Sequence, residues 1–129
     1  MIYLDTSAVA KLVIPEAETS ALEQWIADRS GVARASSRLL RIELLRAVRR
    51  NAPDRLDRAQ LVLAGVVLLS MDDAGPTAET IGDPLLRSLD AIHLATAYGL
   101  RSVLTSFVSY DHRLLDGAKA LGLPAAAPG

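Results

Sequence analysis

The chain reads as an α/β domain built on a mostly parallel sheet that is covered by helices on both faces. Three observations predict this class. Short apolar runs alternate with stretches of helical periodicity along the whole length, the order expected of strand-helix-strand units. Val66-Val67-Leu68-Leu69 is a continuous apolar run, of the kind found in parallel strands buried on both faces. Met1-Ile2-Tyr3-Leu4 is a short buried-strand pattern that ends on Asp5 and passes directly into Thr6-Ser7-Ala8, where a hydroxyl side chain can cap a new helix.

Taken in order, the elements follow from local signals. After the first strand, residues 7–13 fit a short helix, and Pro15-Glu16 punctuates it. Residues 21–27 form a second helix with Leu22, Trp25 and Ile26 on one face. Residues 31–35 supply a second strand, weakened by its alanines. Ser36 and Ser37 offer a cap for a long helix through Arg50, with Leu40, Leu44, Ala47 and Val48 inward and Asn51-Ala52-Pro53 closing it. Another helix covers 54–64 and leads into the strand at 66–69. Helices are expected at 77–81 and 85–98, the latter stopped by Gly99, then a strand at 102–105. Residues 111–121 are helical up to Gly122, and 123–126 give a final edge strand. No repeat, low-complexity segment or linker divides the chain.

Composition narrows the possibilities. At 129 residues the chain is one domain's worth, 1–129, and buries about two thirds of its unfolded surface. Half the residues are hydrophobic and 22% are charged, yet no apolar stretch approaches the roughly 20 residues needed to span a membrane. The N terminus has no basic segment ahead of its strand, which argues against a signal peptide. The absence of cysteine excludes a disulfide framework, a thiolate metal site and a cysteine nucleophile. These features point to a soluble cytoplasmic protein. The net charge of −1 gives no global footprint for nucleic acid.

Chemistry is carried by four acids far apart in the chain: Asp5, Glu43, Asp90 and Asp111. Asp5 ends a strand, and in open α/β sheets ligands bind outside the carboxyl ends of the strands. It could serve only as a helix cap, but Thr6 and Ser7 are available for that. Glu43 taken alone reads as half of an i,i+3 pair with Arg46. Asp90 shares a helix face with Leu94 and Ala97, where an unpaired charge costs several kcal/mol; an ion pair with Arg87 or a bound cation would answer that. Asp111 could cap the last helix. Converging carboxylates repel one another unless a cation neutralises them. Oxygen donors without cysteines or a histidine pair select Mg²⁺ or Mn²⁺ over zinc. His93 lies outside any ligand spacing and reads as a satisfied helix residue, and His112 as a surface one. Ser7 and Ser109 lack a neighbouring base. Arg34, Arg38, Arg41, Arg46, Arg49, Arg50, Arg55 and Arg58 crowd one quarter of the chain. Such a run is usually a solvated face, but beside Glu43 it would make a phosphate-binding rim, with Arg46, Arg49 and Arg50 as the residues to test.

The opening Tyr3-Leu4-Asp5-Thr6-Ser7-Ala8, Glu43-Leu44 within 36–50, the run Leu86-Arg87-Ser88-Leu89-Asp90-Ala91-Ile92-His93-Leu94-Ala95, and Ser109-Tyr110-Asp111-His112-Arg113-Leu114 followed by Gly122-Leu123-Pro124 together resemble PIN-domain ribonucleases, most closely VapC toxins of toxin-antitoxin pairs. The resemblance spans essentially the whole chain, in order. It implies a three-layer α/β/α sandwich, a Mg²⁺ or Mn²⁺ site on Asp5 and Asp90 completed by Glu43 and Asp111, and endonucleolytic cleavage of RNA. Thr6 would orient Asp5 or a water. Ser109 stands where the family often has threonine and keeps the hydroxyl.

The expected activity is therefore metal-dependent endoribonuclease, with metal-activated water leaving a 5′-phosphate and a 3′-hydroxyl. The alternative is a non-catalytic RNA- or protein-binding module that has kept the fold, against which the intact acid quartet argues. A phosphoacceptor receiver domain ranks last, because Lys11 and Lys119 are the only lysines and neither follows a strand. The resemblance also implies a small VapB-type antitoxin that restrains the toxin. An amphipathic segment laying its apolar side in the groove and offering an Arg or Lys to the acids would do this. Helices carrying Leu22, Trp25 and Leu40 were the expected face of a two-fold homodimer.

Overall fold

The computed structural model describes residues 1–129. Five strands form one sheet: β1 (Ile2–Leu4), β2 (Arg34–Ser37), β3 (Val67–Leu69), β4 (Ser106–Val108) and β5 (Ala125–Ala126). Their spatial order is β3-β2-β1-β4-β5, and every pairing is parallel. The chain builds outward from β1 to β3, then returns to the other side of β1 with β4. That reversal creates the crevice at the carboxyl ends of β1 and β4 where open α/β sheets bind ligands.

Seven helices cover the sheet: α1 (Thr6–Val13), α2 (Thr19–Ala27), α3 (Leu39–Asn51), α4 (Leu56–Ala64), α5 (Met71–Ala78), α6 (Ser88–Gly99) and α7 (His112–Ala120). Strand alternation sends Ile2 and Leu4 to one face, into a core with Leu12, Leu22, Leu40, Leu44, Val48 and Leu63 from α1 to α4. Tyr3 and Phe107 go to the other face, packed with Leu94, Ala97, Leu114 and Ala118 from α6 and α7. The result is the α/β/α sandwich.

Several boundaries differ from the sequence reading. The β2 strand runs to Ser37, so Ser36 and Ser37 lie in the sheet; Ser36 donates to the Leu4 carbonyl at 2.6 Å. Ser37 still accepts from Leu39 N–H at 3.1 Å and so helps start α3. The run at 66–69 is not buried on both faces, because β3 is an edge strand and Val67 is half exposed. The fourth strand is Ser106–Val108, not 102–105, since Phe107 and Val108 bring more apolar surface against β1 while Val103 stays exposed. The helix expected at 77–81 instead starts at Met71, capped by Ser70, whose side chain accepts from Asp72 N–H; it tolerates Pro76 inside it. Leu22 and Leu40 are fully buried in the core and Trp25 packs partly buried against it, so of these three only Trp25 reaches the surface. The exposed large apolar side chains are Ile42, Leu61, Val67, Leu85, Leu89 and Val103.

Candidate active site

The four acids arrive on four different elements. Asp5 follows β1 and caps α1, accepting from Ala8 N–H at 2.9 Å. Glu43 lies on the second turn of α3. Asp90 sits in the first turn of α6, where the helix N-terminus favours a carboxylate. Asp111 caps α7, its Oδ1 accepting from Arg113 N–H at 2.9 Å and Leu114 N–H at 3.2 Å. The capping reading of Asp111 therefore holds, and its Oδ2 keeps no protein partner.

Asp5 is buried, at 3% exposure. Ser7 donates to Oδ1 at 2.7 Å and Ser109 to Oδ2 at 2.5 Å. Burial pushes the carboxyl above its ordinary range, opposed by those hydroxyls, the Ala8 N–H and the nearby His93. Asp90 is only half buried. It is the solvent end of the apolar stripe formed by the buried Leu94 and Ala97, and no ion pair joins it to Arg87. Burial and then repulsion from Asp111, with smaller contributions from Glu43 and Asp5, raise its carboxyl as well, against the pull of His93. That mutual repulsion is the electrostatic mark of four acids converging.

Glu43 behaves differently. Thr6 donates to its Oε1 at 2.6 Å, and His93 Nε2 meets the same oxygen at 2.8 Å. Burial pushes Glu43 up, but the hydrogen bonds from His93 and Thr6 outweigh it and hold the carboxyl below its usual range. The role expected of Thr6 is thus corrected, since it orients Glu43 and leaves Asp5 to Ser7 and Ser109. His93 is a satisfied helix residue as expected, with 2% exposure, yet what satisfies it is the acid cluster itself. Its bearing on the site was missed. The available signal was its i+3 spacing from Asp90, which puts the two on neighbouring faces of α6.

No buried side-chain oxygen or nitrogen lacks a partner, so the carboxylate oxygens that accept no hydrogen bond are open to solvent. These are Glu43 Oε2, Asp111 Oδ2 and both oxygens of Asp90. Together they are a hard, oxygen-only donor set, chemically suited to Mg²⁺ or Mn²⁺. No three acids or histidines stand close enough to form a finished coordination shell. The donor type fits a divalent ion.

The arginines divide by role. Arg55 and Arg58 donate to the Val13 and Leu12 carbonyls at 3.1 and 3.2 Å and so satisfy the end of α1. Arg46, Arg49 and Arg50 are exposed and unpaired, with Arg46 and Arg50 at i+3 and i+7 from Glu43 along α3. The expected Glu43–Arg46 ion pair does not form. A pocket of about 370 Å³ is lined by Arg87, Asp90, Tyr110, Asp111, His112 and Arg113. Two arginines outside the predicted cluster, with the exposed His112, thus flank the acids.

Comparison with known proteins identifies the family and the fold. The chain matches the PIN domain over residues 2–120. It is 47% identical over its full length to Ribonuclease VapC47 of Mycobacterium tuberculosis, covering 98% of that protein. It is 46% identical over its full length to Ribonuclease VapC35 of the same species, again covering 98%. Among solved structures it is similar to Mycobacterium tuberculosis VapC20, described as a sarcin-ricin loop cleaving toxin, with a TM-score of 0.68 at 16% identity over 95% of this chain and 96% of that one. FitAB bound to an IR36 DNA fragment gives a TM-score of 0.64 at 16% identity over 99% and 95%. At such identities these structures speak for the fold, and the full-length relatives for the family. The chain belongs to the PIN-domain family, among its VapC-type ribonucleases.

Proposed function

We propose that the chain is the endoribonuclease toxin of a toxin-antitoxin pair and that Asp5, Glu43, Asp90 and Asp111 are its catalytic acids. One observation supports this most strongly: four elements deliver carboxylates to one crevice, where they repel one another while leaving four oxygens open. Mg²⁺, or Mn²⁺ in its place, would be held chiefly by Asp5 and Asp90 with Glu43 and Asp111 in support. When bound, it polarises a phosphoryl oxygen and makes water a competent nucleophile at neutral pH.

The remaining work falls to the protein. Ser7 and Ser109 fix Asp5 in place and oppose the burial that favours its neutral form. Thr6 and His93 keep Glu43 ionised through their hydrogen bonds. Arg46, Arg49 and Arg50, extending from Glu43 along α3, attract the phosphate backbone, and Arg87 and Arg113 supply charge at the rim. Single-stranded loops of structured RNA suit so open a site, since their bases are splayed out.

A VapB-type antitoxin is the expected restraint. A groove of about 560 Å³ lined by Leu85, Leu86, Ala120 and Leu121 shares Arg113 with the acid pocket. An amphipathic helix laid there would reach the carboxylates with a basic side chain. A homodimer would use the exposed apolar residues, such as Ile42 and Leu89. No helix is long and apolar enough to cross a membrane, and the cytoplasm is the compartment where an RNA-cleaving toxin would meet its substrate.

The test is cleavage of a structured RNA in Mg²⁺ by purified wild-type protein and Asp90→Asn. Cleavage leaving 5′-phosphates, abolished by EDTA and reduced by orders of magnitude in the variant, is expected. Wild-type rates in Asp90→Asn, or activity surviving chelation, would remove the assignment. RNA binding without any cleavage would favour the non-catalytic module.

A further inference from the structure

A chain of hydrogen bonds runs from the centre of the sheet to the site. Ser37 N–H donates to the Tyr3 hydroxyl oxygen at 3.1 Å. The Tyr3 hydroxyl lies 2.7 Å from His93 Nδ1. His93 Nε2 lies 2.8 Å from Glu43 Oε1 and 3.2 Å from Thr6 Oγ1. Tyr3 itself is immobilised, fully buried and stacked on Phe107 with centroids 5.3 Å apart.

Donor and acceptor counting fixes where the ring proton sits. Thr6 gives its proton to Glu43 at 2.6 Å, so the contacts of Nε2 with Thr6 and with the Glu43 carboxylate both require a proton on Nε2. The Tyr3 oxygen keeps a second lone pair beside the Ser37 bond, so it can meet Nδ1 as donor or acceptor; a ring that carries one proton, on Nε2, leaves Nδ1 bare and accepting from Tyr3. Thr6 and His93 also converge on one oxygen of Glu43, which leaves Oε2 without a protein partner.

We propose that His93 is a positioning residue for RNA cleavage: locked by Tyr3 in the Nε2-protonated tautomer, it pins Glu43 by Oε1 and keeps Oε2 available to the reaction. The inference rests on Glu43 being a catalytic acid. His93 neither touches substrate nor holds a metal. It replaces rotamer freedom in the acid with one orientation, as hydrogen-bond partners of ligating carboxylates do elsewhere.

Two variants of similar size separate this from core filling. The amide nitrogen of glutamine reaches the place of Nε2, whereas that of asparagine reaches only the place of Nδ1. His93→Gln should therefore retain most of the wild-type kcat, and His93→Asn should lose roughly 10- to 100-fold with KM little changed. Equal kcat values, or kcat values that follow the variants' thermal stabilities, would overturn the proposal. An activity-independent reading comes from long-range ¹H–¹⁵N spectra of the metal-free protein. His93 should be protonated on Nε2 alone, and Tyr3→Phe should release it into a mixture of tautomers. A proton on Nδ1, or on both nitrogens, in the wild type would also overturn it. Glu43→Gln separates the two levels of the argument. Full activity there would overturn the catalytic assignment of Glu43 itself, whereas loss there with indistinguishable His93 variants would overturn only the relay.

Discussion

Asp5 is buried, and both its oxygens are taken by Ser7, Ser109 and the Ala8 N–H. Asp90, on a helix against the opposite face of the sheet, is half buried and accepts no hydrogen bond. Both carboxyls are pushed up, for different reasons. Burial dominates at Asp5 and is resisted by an enclosing set of donors, whereas at Asp90 burial is compounded by the neighbouring Asp111. The contrast teaches that Asp5, a proposed ligand, is also built into the architecture, whereas Asp90 is left without a protein partner. Sites commonly give up stability in this way, because a group kept free for a substrate or ion is a group the fold leaves uncompensated.

Deleting the two carboxylates should break the comparison most visibly. Asp5→Ala removes the cap of α1 and strands two hydroxyl donors, with an expected destabilisation of about 2–4 kcal/mol. Asp90→Ala should cost little or nothing. Chemical denaturation of the two metal-free variants measures both; a loss at Asp90 equal to that at Asp5 would contradict this contrast.

A smaller effect sharpens the account of Asp90. Its folded carboxyl titrates above the unfolded one, so the folded state holds a proton that the unfolded chain has released. Stability therefore falls as pH rises from the ordinary carboxylate range and levels off above the raised value. Asp90→Asn should raise the Tm of metal-free protein at neutral pH, by at most about a few degrees because solvent screens this partly exposed carboxyl. The gain should vanish as pH drops into the carboxylate range. A gain that grows on acidification would reverse the sign and refute the cause.

The smallest expected effect concerns the surface. Replacing Arg46, Arg49 and Arg50 together with Gln should leave folding unchanged and weaken RNA binding across sequences, with a shallower dependence on salt. Titrations at two salt concentrations measure the slope, and an unchanged slope would return the three arginines to solvated decoration.

The layered α/β class was legible from local patterns, an apolar run and a cap; Asp5 stood out at a strand end, Asp90 on an apolar helix face and Asp111 at a helix start, while Glu43 stood out only through the family resemblance. What escaped was nonlocal. The edge position of β3, which leaves Val67 half exposed, depends on strand order. The true span of β4 depends on its pairing with Ile2 to Leu4. Ser7 and Ser109 showed no neighbouring base, but they find a buried carboxylate instead. His93 meets Tyr3 across 90 residues, and no periodicity in α6 announces that. Clustering in sequence does not fix destination: Arg55 and Arg58 serve backbone carbonyls, while Arg87 and Arg113, outside the run, reach the pocket.

The central position of β1 has a temporal consequence. The first strand made is the middle of the finished sheet, and Asp5 meets Ser109 only 104 residues later. At elongation rates of about 5–20 residues per second, a nascent chain spends seconds with its first acid synthesised and the partners that hold it not yet made. Asp111 is later still, so the four acids cannot meet until nearly the whole chain has left the ribosome. Pairing over such a separation is also slow to form. Each copy wired this way can bring its four acids together only after Asp111 has emerged from the ribosome.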